Sequence, residues 1–455
     1  MANCIAALAT AVGKASLTVV RISGSDSFKV AAQVFRPMDK RRKVEKRKGY
    51  TAMFGSFYRK GEEIDQAVAL FFRAPRSYTG EDVVEISCHG GSAVSDQLLK
   101  ACYEAGAEPA GPGEFTKRAF LNGKMSLTQA EAVMEMVNAT SSRELKAAHS
   151  ALEGHLYQRA SAIRDDLLIL AGHIAAYTDF PEEAVEYVSD EEVEEILKRD
   201  REKLKSLMDT YDAGARIKRG VKTAIVGKPN VGKSTLLNAL SGFEKAIVTP
   251  IAGTTRDVVE QEVILGGINL ILQDTAGIRQ TSDEIESIGI RRSLDRLNGA
   301  DLVFCVFDGS EELTEEDVEL AKQCSGLNSI AIINKQDLVQ RFDYSAIEQY
   351  FKKTLFITAT EFYMSKEFEA GVLEVLGLLD IDMTVGSLVN ERQFEAVRTA
   401  YSSICDACDR FDEGYSLDII GVCIDEALYA IYSLTGENVS DQVVEEVFSK
   451  FCVGK

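Results

Sequence analysis

A stretch from Gly227 to Ser234, reading GKPNVGKS, has the residue types and spacing of a phosphate-binding loop. It follows the β-branched run Val221 to Val226 and leads into a helical pattern, as such a loop should. Glycines at both ends let backbone N–H groups face phosphate, while Lys233 can reach the β- and γ-phosphates and Ser234 can offer its hydroxyl to Mg²⁺. The pattern predicts a P-loop whose nucleotide-binding residues are Asn230, Val231, Gly232, Lys233, Ser234 and Thr235.

Two further motifs narrow the nucleotide to GTP. The sequence DTAG ends the apolar run Ile268 to Leu272 and can deliver Asp274 toward Mg²⁺ and a glycine amide toward the γ-phosphate. The sequence NKQD follows the strand pattern Ile330 to Ile333, and Asp337 can accept two hydrogen bonds from guanine that adenine cannot supply. The candidate GTP-binding residues are Asp274, Thr275, Ala276, Gly277, Asn334, Lys335 and Asp337, with Thr358, Ala359 and Thr360 as the guanine loop.

The segment TPIAGTTRD lies between the P-loop and Asp274 and resembles the first switch of translation-factor-like GTPases. In that arrangement Thr255 closes on Mg²⁺ when the γ-phosphate is present. The candidate residues of this segment are Thr249, Pro250, Ile251, Ala252, Gly253, Thr254 and Thr255.

The composition indicates a globular protein of two to four domains, with 455 residues, 45% hydrophobic and 27% charged. No apolar run approaches the roughly 20 residues of a membrane helix, and the first residues do not have a signal-peptide pattern. Nine scattered cysteines favour reduced thiols, so we expect a cytoplasmic protein without a membrane partner. Cys405 and Cys408 are interpreted as two buried thiols one helical turn apart, with zinc binding as the alternative.

The formal charge of −20 argues against a general nucleic-acid coat, because non-specific binding requires neutralisation of phosphates by Lys and Arg. Any RNA contact should therefore be local. The one conspicuous basic run, Lys40 to Lys48, could meet RNA phosphates or could be a solvated loop.

Hydrophobic periodicity divides the rest of the chain into an α+β region and helical regions. The first region contains the predicted strands Leu17–Ile22, Ala67–Phe72 and Val83–Ser87 and the predicted helices Asp26–Val34 and Ala93–Ala105. From Ser126 to Ala213 apolar residues recur at helical steps, with a break at Asp179 to Pro181 and a new helix starting within Glu182 to Glu195. The periodic residues are Leu145, Leu152, Leu156, Ile163, Leu167, Leu170 and Ile174.

Helical patterns return after the nucleotide-binding segment, at Asn390–Phe411, Leu417–Leu434 and Ser440–Ser449. Helices on both sides of an α/β domain usually pack on each other, so the nucleotide-binding domain should be inserted into one helical domain. The predicted boundaries are 1–118 for the N-terminal domain, 119–216 and 380–455 for the two parts of the helical domain, and 217–379 for the G domain. The fold class is therefore multidomain, with an N-terminal α+β domain, a long-helix α domain and an inserted Ras-like α/β G domain.

The whole chain resembles the bacterial and organellar family of tRNA-modification GTPases called MnmE or TrmE. Besides the GTP motifs, the resemblance rests on the segments Pro75–Asp82, Cys88–Gly91, Gly113–Phe115, Arg118–Lys124, Thr128–Ala132 and Cys452–Lys455. It implies GTP hydrolysis coupled to carboxymethylaminomethyl or aminomethyl modification at C5 of the wobble uridine of certain tRNAs. It also implies an N-terminal folate-binding-like domain that forms a homodimer, a flavin-binding partner, MnmG (GidA), in a heterotetramer-type complex, and G domains that are activated by dimerisation.

Ile278 stands where a Ras-like switch has the Gln that orients the attacking water. Its apolar side chain cannot orient water, so another group must catalyse hydrolysis. An arginine finger is one alternative, and Arg256, Arg279 and Arg291 are its candidates. The resemblance instead implies a K⁺ ion held by Asn230 with Thr249, Ile251 and Thr254. It also implies that Glu286 positions the water, although Glu286 could be a solvated acid at a helix start.

The resemblance further implies that a tetrahydrofolate derivative, 5-formyl or methylene, binds at Arg21, Glu85, Lys124 and Lys455. A carboxylate suits the amide-like edge of a pterin, and cations suit a glutamate tail. Cys452 is either a structural thiol in a helical tail or a functional thiol on a short flexible extension near the folate. The alternative function is a non-catalytic GTPase switch of RNA or ribosome assembly, as in Era-like proteins, which would be expected to carry an appended basic RNA-binding module.

Overall fold

The computed structural model describes residues 3–179, 189–242, 260–273, 299–361, 365–379 and 385–455. These residues form two compact units. Unit 1 comprises Met1–Met134 and Leu428–Lys455, and unit 2 comprises Glu135–Ala427. The four predicted domain boundaries remain a proposal.

Unit 1 is built on a seven-stranded sheet with the order β3-β4-β5-β6-β2-β1-β7, antiparallel except between β1 and β7. Along β6, Val84, Ile86 and Cys88 are buried while Glu85 and Ser87 are partly exposed, because alternate residues of a strand face opposite sides. The strands are β1 (Ile5–Leu8), β2 (Leu17–Ser23), β3 (Phe35–Pro37), β4 (Thr51–Arg59), β5 (Glu62–Phe72), β6 (Val83–His89) and β7 (Glu108–Pro109).

Helices α1 (Ser27–Val34) and α2 (Ser92–Glu104) cover the buried face of this sheet, with Phe28 and Leu98 in the core. A second apolar cluster joins α4 (Leu127–Asn138) to α14 (Asp441–Ser449) through Leu127, Val444 and Phe448. Between them lies α3 (Glu114–Leu121). The strands and helices predicted for this region are confirmed, with bounds that differ by a few residues.

The helices of unit 2 agree with the periodic pattern except at Leu145, and α7 begins within the predicted range. Leu145 is 48% exposed, so it does not belong to the buried stripe that contains Leu156, Leu167 and Ile174. Helix α7 begins at Asp190, where a capping box of Ser189 and Glu192 satisfies the first N–H groups. The helices are α5 (Ser142–Leu152), α6 (His155–Asp179), α7 (Asp190–Asp209), α8 (Tyr211–Arg219), α12 (Glu391–Asp412) and α13 (Leu417–Thr435).

Helices before and after the nucleotide-binding segment pack on each other, as predicted. The rings of Tyr211 and Phe394 stack with centroids 4.2 Å apart, and the Leu388 N–H donates to Thr210 Oγ1 at 3.1 Å. Cys405 and Cys408 lie one turn apart in α12, but only Cys408 is buried, so the prediction of two buried thiols is half right.

The sheet of unit 2 has the order β13-β12-β11-β8-β10-β9 and is parallel except for β9. Its central strands are fully buried, which explains their continuous apolar runs. The elements are β8 (Val221–Val226), α9 (Lys233–Ser241), β9 (Glu260–Leu265), β10 (Ile268–Gln273), β11 (Leu302–Asp308), α10 (Glu315–Gln323), β12 (Ser329–Asn334), β13 (Lys353–Phe356) and α11 (Lys366–Val375).

Candidate functional site

The predicted P-loop follows β8 and ends where α9 begins, at the carboxyl edge of the parallel sheet. Gly227 and Gly232 have φ of +151° and +103°. A Cβ at Gly227 would lie 2.4 Å from Val306 O, and one at Gly232 would lie 2.2 Å from Asn334 Nδ2. Both glycines are therefore required by backbone conformation and by space.

Lys233 lies inside this loop. Its ammonium donates to the carbonyls of Gly227 at 2.8 Å and Lys228 at 2.5 Å, and burial lowers its pKa. Asn230 within the loop and Ser234 and Thr235 at the start of α9 are exposed. The loop thus presents backbone donors, one cation and two hydroxyls to a polyphosphate, as the spacing predicts.

Asn334 connects the P-loop to the guanine loop. Its side-chain amide donates to Val231 O at 2.8 Å and accepts from the Ala359 N–H at 2.9 Å. Asp337 is exposed in the turn that follows, while Thr358 is half-buried and Thr360 exposed. The structure therefore brings the three described GTP motifs to one edge of the sheet.

The remaining GTP-site predictions lie outside the described residues. They are Thr249, Pro250, Ile251, Ala252, Gly253, Thr254, Thr255, Asp274, Thr275, Ala276, Gly277 and the water-positioning candidate Glu286.

A second candidate site lies on the sheet of unit 1. Arg21 and Glu85 face each other in the antiparallel register of β2 and β6, and Arg21 Nε lies 2.8 Å from Glu85 Oε1. The Arg21 guanidinium lies 5.2 Å from the ring centroid of Tyr78 and 5.5 Å from that of Phe115. A half-buried ion pair is thus flanked by two aromatic rings.

The other two residues predicted to bind folate, Lys124 and Lys455, are connected to this pair through neighbouring segments. The Phe115 N–H donates to Lys455 O at 3.0 Å, which fixes the Lys455 backbone beside the ring that contacts Arg21. The Lys124 ammonium donates to Pro75 O at 3.2 Å, on the segment that carries Tyr78. The structure brings Arg21 and Glu85 into contact and places Lys124 and Lys455 on the segments around them.

Cys452 is exposed, but its segment is not the free extension that the sequence suggested. The Gly113 N–H donates to Cys452 O at 3.3 Å, and Val453 forms a β-bridge with Pro112. A Cβ at Gly454 would lie 1.8 Å from Leu8 O, so the tail fits tightly against β1. The helical-tail alternative is also wrong, because α14 ends at Ser449.

Comparison with known proteins covers the whole chain. The family model described as "GTP-binding protein TrmE N-terminus" matches residues 4–124, and "MnmE helical domain" matches residues 127–452. The tRNA modification GTPase MnmE of Thermoanaerobacter pseudethanolicus is 37% identical over 467 residues, and that of Symbiobacterium thermophilum is 39% identical over 455. The protein of the same name from Clostridioides difficile is 35% identical over 459 residues, and each alignment covers 99% of both chains. The chain belongs to the MnmE family.

As a member of the MnmE family, the protein is a GTPase that acts in tRNA modification, and the described GTP motifs fit that activity. None of the helices in the described ranges combines the length and apolar content needed to span a bilayer.

Three residues that support the G domain were not predicted from the sequence: Asp308, Ser310 and Asp317. Lys335 forms an ion pair with Asp308, which also accepts from the Ser310 hydroxyl at 2.6 Å. Burial opposes ionisation of Asp308, but these partners outweigh it and lower its pKa. Lys228 pairs with buried Asp317 at 2.7 Å and so attaches the P-loop to the start of α10. The only sequence signal for Asp308 was its place at the end of an apolar strand.

Sequence reasoning also missed a polar network beside the Arg21–Glu85 pair. Arg118 lies 3.1 Å from Glu81 Oε2 and 2.8 Å from Glu114 Oε1. Glu81 also accepts from the buried Ser23 hydroxyl at 2.7 Å. These contacts join the segment of Tyr78 to the helix of Phe115, so the network holds the two flanking rings in place.

Proposed function

We propose that this GTPase installs a carboxymethylaminomethyl or aminomethyl group at C5 of the wobble uridine of certain tRNAs. It acts with a flavin-binding partner of the MnmG (GidA) type and takes the one-carbon unit from a tetrahydrofolate. The single observation that carries the folate part is the Arg21–Glu85 pair between the rings of Tyr78 and Phe115.

The residues around that pair fit a reduced folate. Among the described residues only Oε1 of Glu85 is engaged, by Arg21, which leaves Oε2 to accept hydrogen bonds from a pterin edge. The partly exposed ring of Tyr78 suits a flat heterocycle, while the buried ring of Phe115 supports Arg21 from within. Lys124 with Lys455 can supply positive charge for a glutamate tail. When bound, the folate supplies the one-carbon unit, while the residues of this chain bind and orient it.

The P-loop fits the two cations of the GTPase reaction. Ser234 with Thr255 would hold Mg²⁺, and Asn230 would hold K⁺ with Thr249, Ile251 and Thr254. Asn230 is exposed in the loop at a φ of +63°, so its amide oxygen is available to a cation beside the phosphates. K⁺ supplies positive charge where arginine-finger GTPases place a guanidinium. We assign the positioning of the attacking water to Glu286.

A homodimer formed through unit 1 is supported by the outer face of its sheet. Phe54 and Val68 are paired across β4 and β5, and with Leu70 they are 50%, 39% and 37% exposed. Exposed apolar residues that adjoin in this way favour association with another surface. Light scattering of the nucleotide-free protein at micromolar concentration should give the mass of a dimer, and a monomer would contradict this assignment.

Binding of 5-formyl-tetrahydrofolate tests the folate part of the proposal. We expect Glu85→Gln to weaken binding by about tenfold or more, because a carboxylate makes stronger hydrogen bonds than an amide and the Arg21 pair is lost. Glu104→Gln is the matched control, since Glu104 pairs with Arg59 elsewhere in unit 1 and should bind folate normally. Equal affinity of wild type and Glu85→Gln would contradict the assignment of this site.

A further inference from the structure

A strongly basic segment lies in residues 36–48, which we call the basic loop. It contains eight Lys or Arg residues and two acidic residues, a formal charge of +6 in a chain whose total is −20. The other 442 residues therefore carry −26. A segment that opposes the charge of the rest of the chain so strongly can attract a polyanion that the remaining surface repels.

The basic loop is held in one conformation by the body of unit 1. Val44 is only 5% exposed. The Arg73 guanidinium donates to the carbonyls of Glu45 at 2.6 Å and Arg47 at 3.2 Å, and it is itself paired with Asp82 at 2.6 Å. The loop is therefore preorganised, which lowers the entropy cost of binding relative to a disordered basic tail.

Four lysines of this loop are exposed: Lys40, Lys43, Lys46 and Lys48. Within the described parts of the chain none of the four has a carboxylate partner, whereas Arg41 and Arg42 both approach Asp39. Lysine ammonium groups act as point charges toward phosphate and carry no base preference. The four lysines are thus available to an external polyanion.

Tyr50, just beyond the loop, adds an aromatic surface. Its side chain is 69% exposed, and its ring contacts Phe72 edge-on with centroids 5.7 Å apart. Proteins that bind single-stranded nucleic acids combine exposed aromatic rings, which stack on bases, with cationic side chains, which contact phosphates. An anionic membrane would also attract lysines, but Val44 is buried and Met38, at 62% exposure, is the one exposed large apolar side chain of the loop, which is far less apolar area than a membrane-inserting amphipathic helix presents.

We propose that the basic loop is a docking surface for the phosphate backbone of tRNA, with Tyr50 placed to stack on an unpaired base. The surface shares no residue with the GTP motifs or with the Arg21–Glu85 pair. Its selectivity is for backbone charge and shape, so the choice of uridine must be made elsewhere in the complex.

The test compares tRNA binding by the full chain and by a variant in which Lys40, Lys43, Lys46 and Lys48 are all changed to Gln. The probe is an unmodified tRNA transcript with a wobble uridine, titrated at several KCl concentrations. Each lost phosphate contact should reduce the slope of log affinity against log salt by about 0.7 to 0.9. We expect a slope smaller by about 3 and affinity at least about tenfold weaker at 0.1 M salt.

The matched control changes four exposed lysines elsewhere, Lys100, Lys198, Lys205 and Lys322, to Gln, which alters the net charge by the same amount. It should keep the wild-type salt slope. Equal loss in both variants would show that only total charge matters and would overturn the proposal, as would absence of tRNA binding by the wild type. Loss of binding to phosphatidylserine vesicles with unchanged tRNA binding would overturn it in favour of a membrane surface. GTP hydrolysis should be unchanged in both variants, so this test does not depend on the K⁺ or folate assignments.

Discussion

Replacement of Asp200 by Asn should make the stability of the helical region less dependent on pH. Asp200 lies in α7 with no solvent exposure, and its Oδ2 has no hydrogen-bond partner among the described residues. Burial raises its pKa to about 6. Lys203 lies 2.8 Å away and opposes the shift, but its ammonium is shared with Asp166 at 2.6 Å and does not outweigh burial.

The sign follows from the direction of this shift. Because the pKa of Asp200 is higher in the folded chain than its ordinary value of 3.8, its protonated form favours folding. That contribution is present at acidic pH and is lost as the pH rises through about 6. The full difference corresponds to about 3 kcal/mol, of which about 1.4 kcal/mol is lost between pH 5.0 and 7.5.

Urea unfolding at pH 5.0 and 7.5, followed by far-UV circular dichroism, measures this effect. The free energy of unfolding of Asp200→Asn minus that of wild type should be about 1.4 kcal/mol larger at pH 7.5 than at pH 5.0. Asp209→Asn, an exposed change in the same helix, is the control and should show a much smaller change with pH. A difference for Asp200→Asn that is constant, or larger at pH 5.0, would refute the reasoning.

Three further predictions concern the chemistry. GTP hydrolysis should be faster in K⁺ than in Na⁺ at equal ionic strength, because Ile278 cannot orient water and Asn230 can hold a cation; equal rates would exclude the cation hypothesis. Glu286→Ala should leave nucleotide affinity nearly intact and lower kcat by about 10²-fold or more, the usual scale for a positioned base, so an unchanged kcat in steady-state assays would remove Glu286 from the mechanism. Cys452→Ser should abolish wobble-uridine modification in cells while folding and GTP hydrolysis stay near wild type, whereas loss of GTPase activity in that variant would indicate a structural thiol.

The sequence was informative wherever local pattern dictates local structure. The run Val221 to Val226 forms a strand with those bounds, and the glycines of the P-loop occupy conformations that other residues rarely adopt. Helix α12 begins one residue after the predicted start because Asn390 is its N-cap. These features depend on neighbours in the chain, so periodicity and turn chemistry are sufficient to predict them.

Features that depend on distant residues were not predictable in this way. The local sequence does not predict that Arg21 lies beside Glu85, because the two residues are 64 positions apart and the register of their strands sets the pairing. The docking of the tail depends on Gly113, where a Cβ would lie 2.7 Å from the Phe451 side chain. The exposure of Leu145 likewise depends on which helix faces are covered, and periodicity alone cannot supply that information.

The most direct test of the central claim is the nucleoside composition of tRNA from cells that lack this chain. We predict loss of the carboxymethylaminomethyl- and aminomethyl-type uridines, restored by the wild-type chain but not by Glu85→Gln. An unchanged nucleoside profile in the deletion would contradict the proposed modification and would favour a regulatory GTPase of RNA assembly instead.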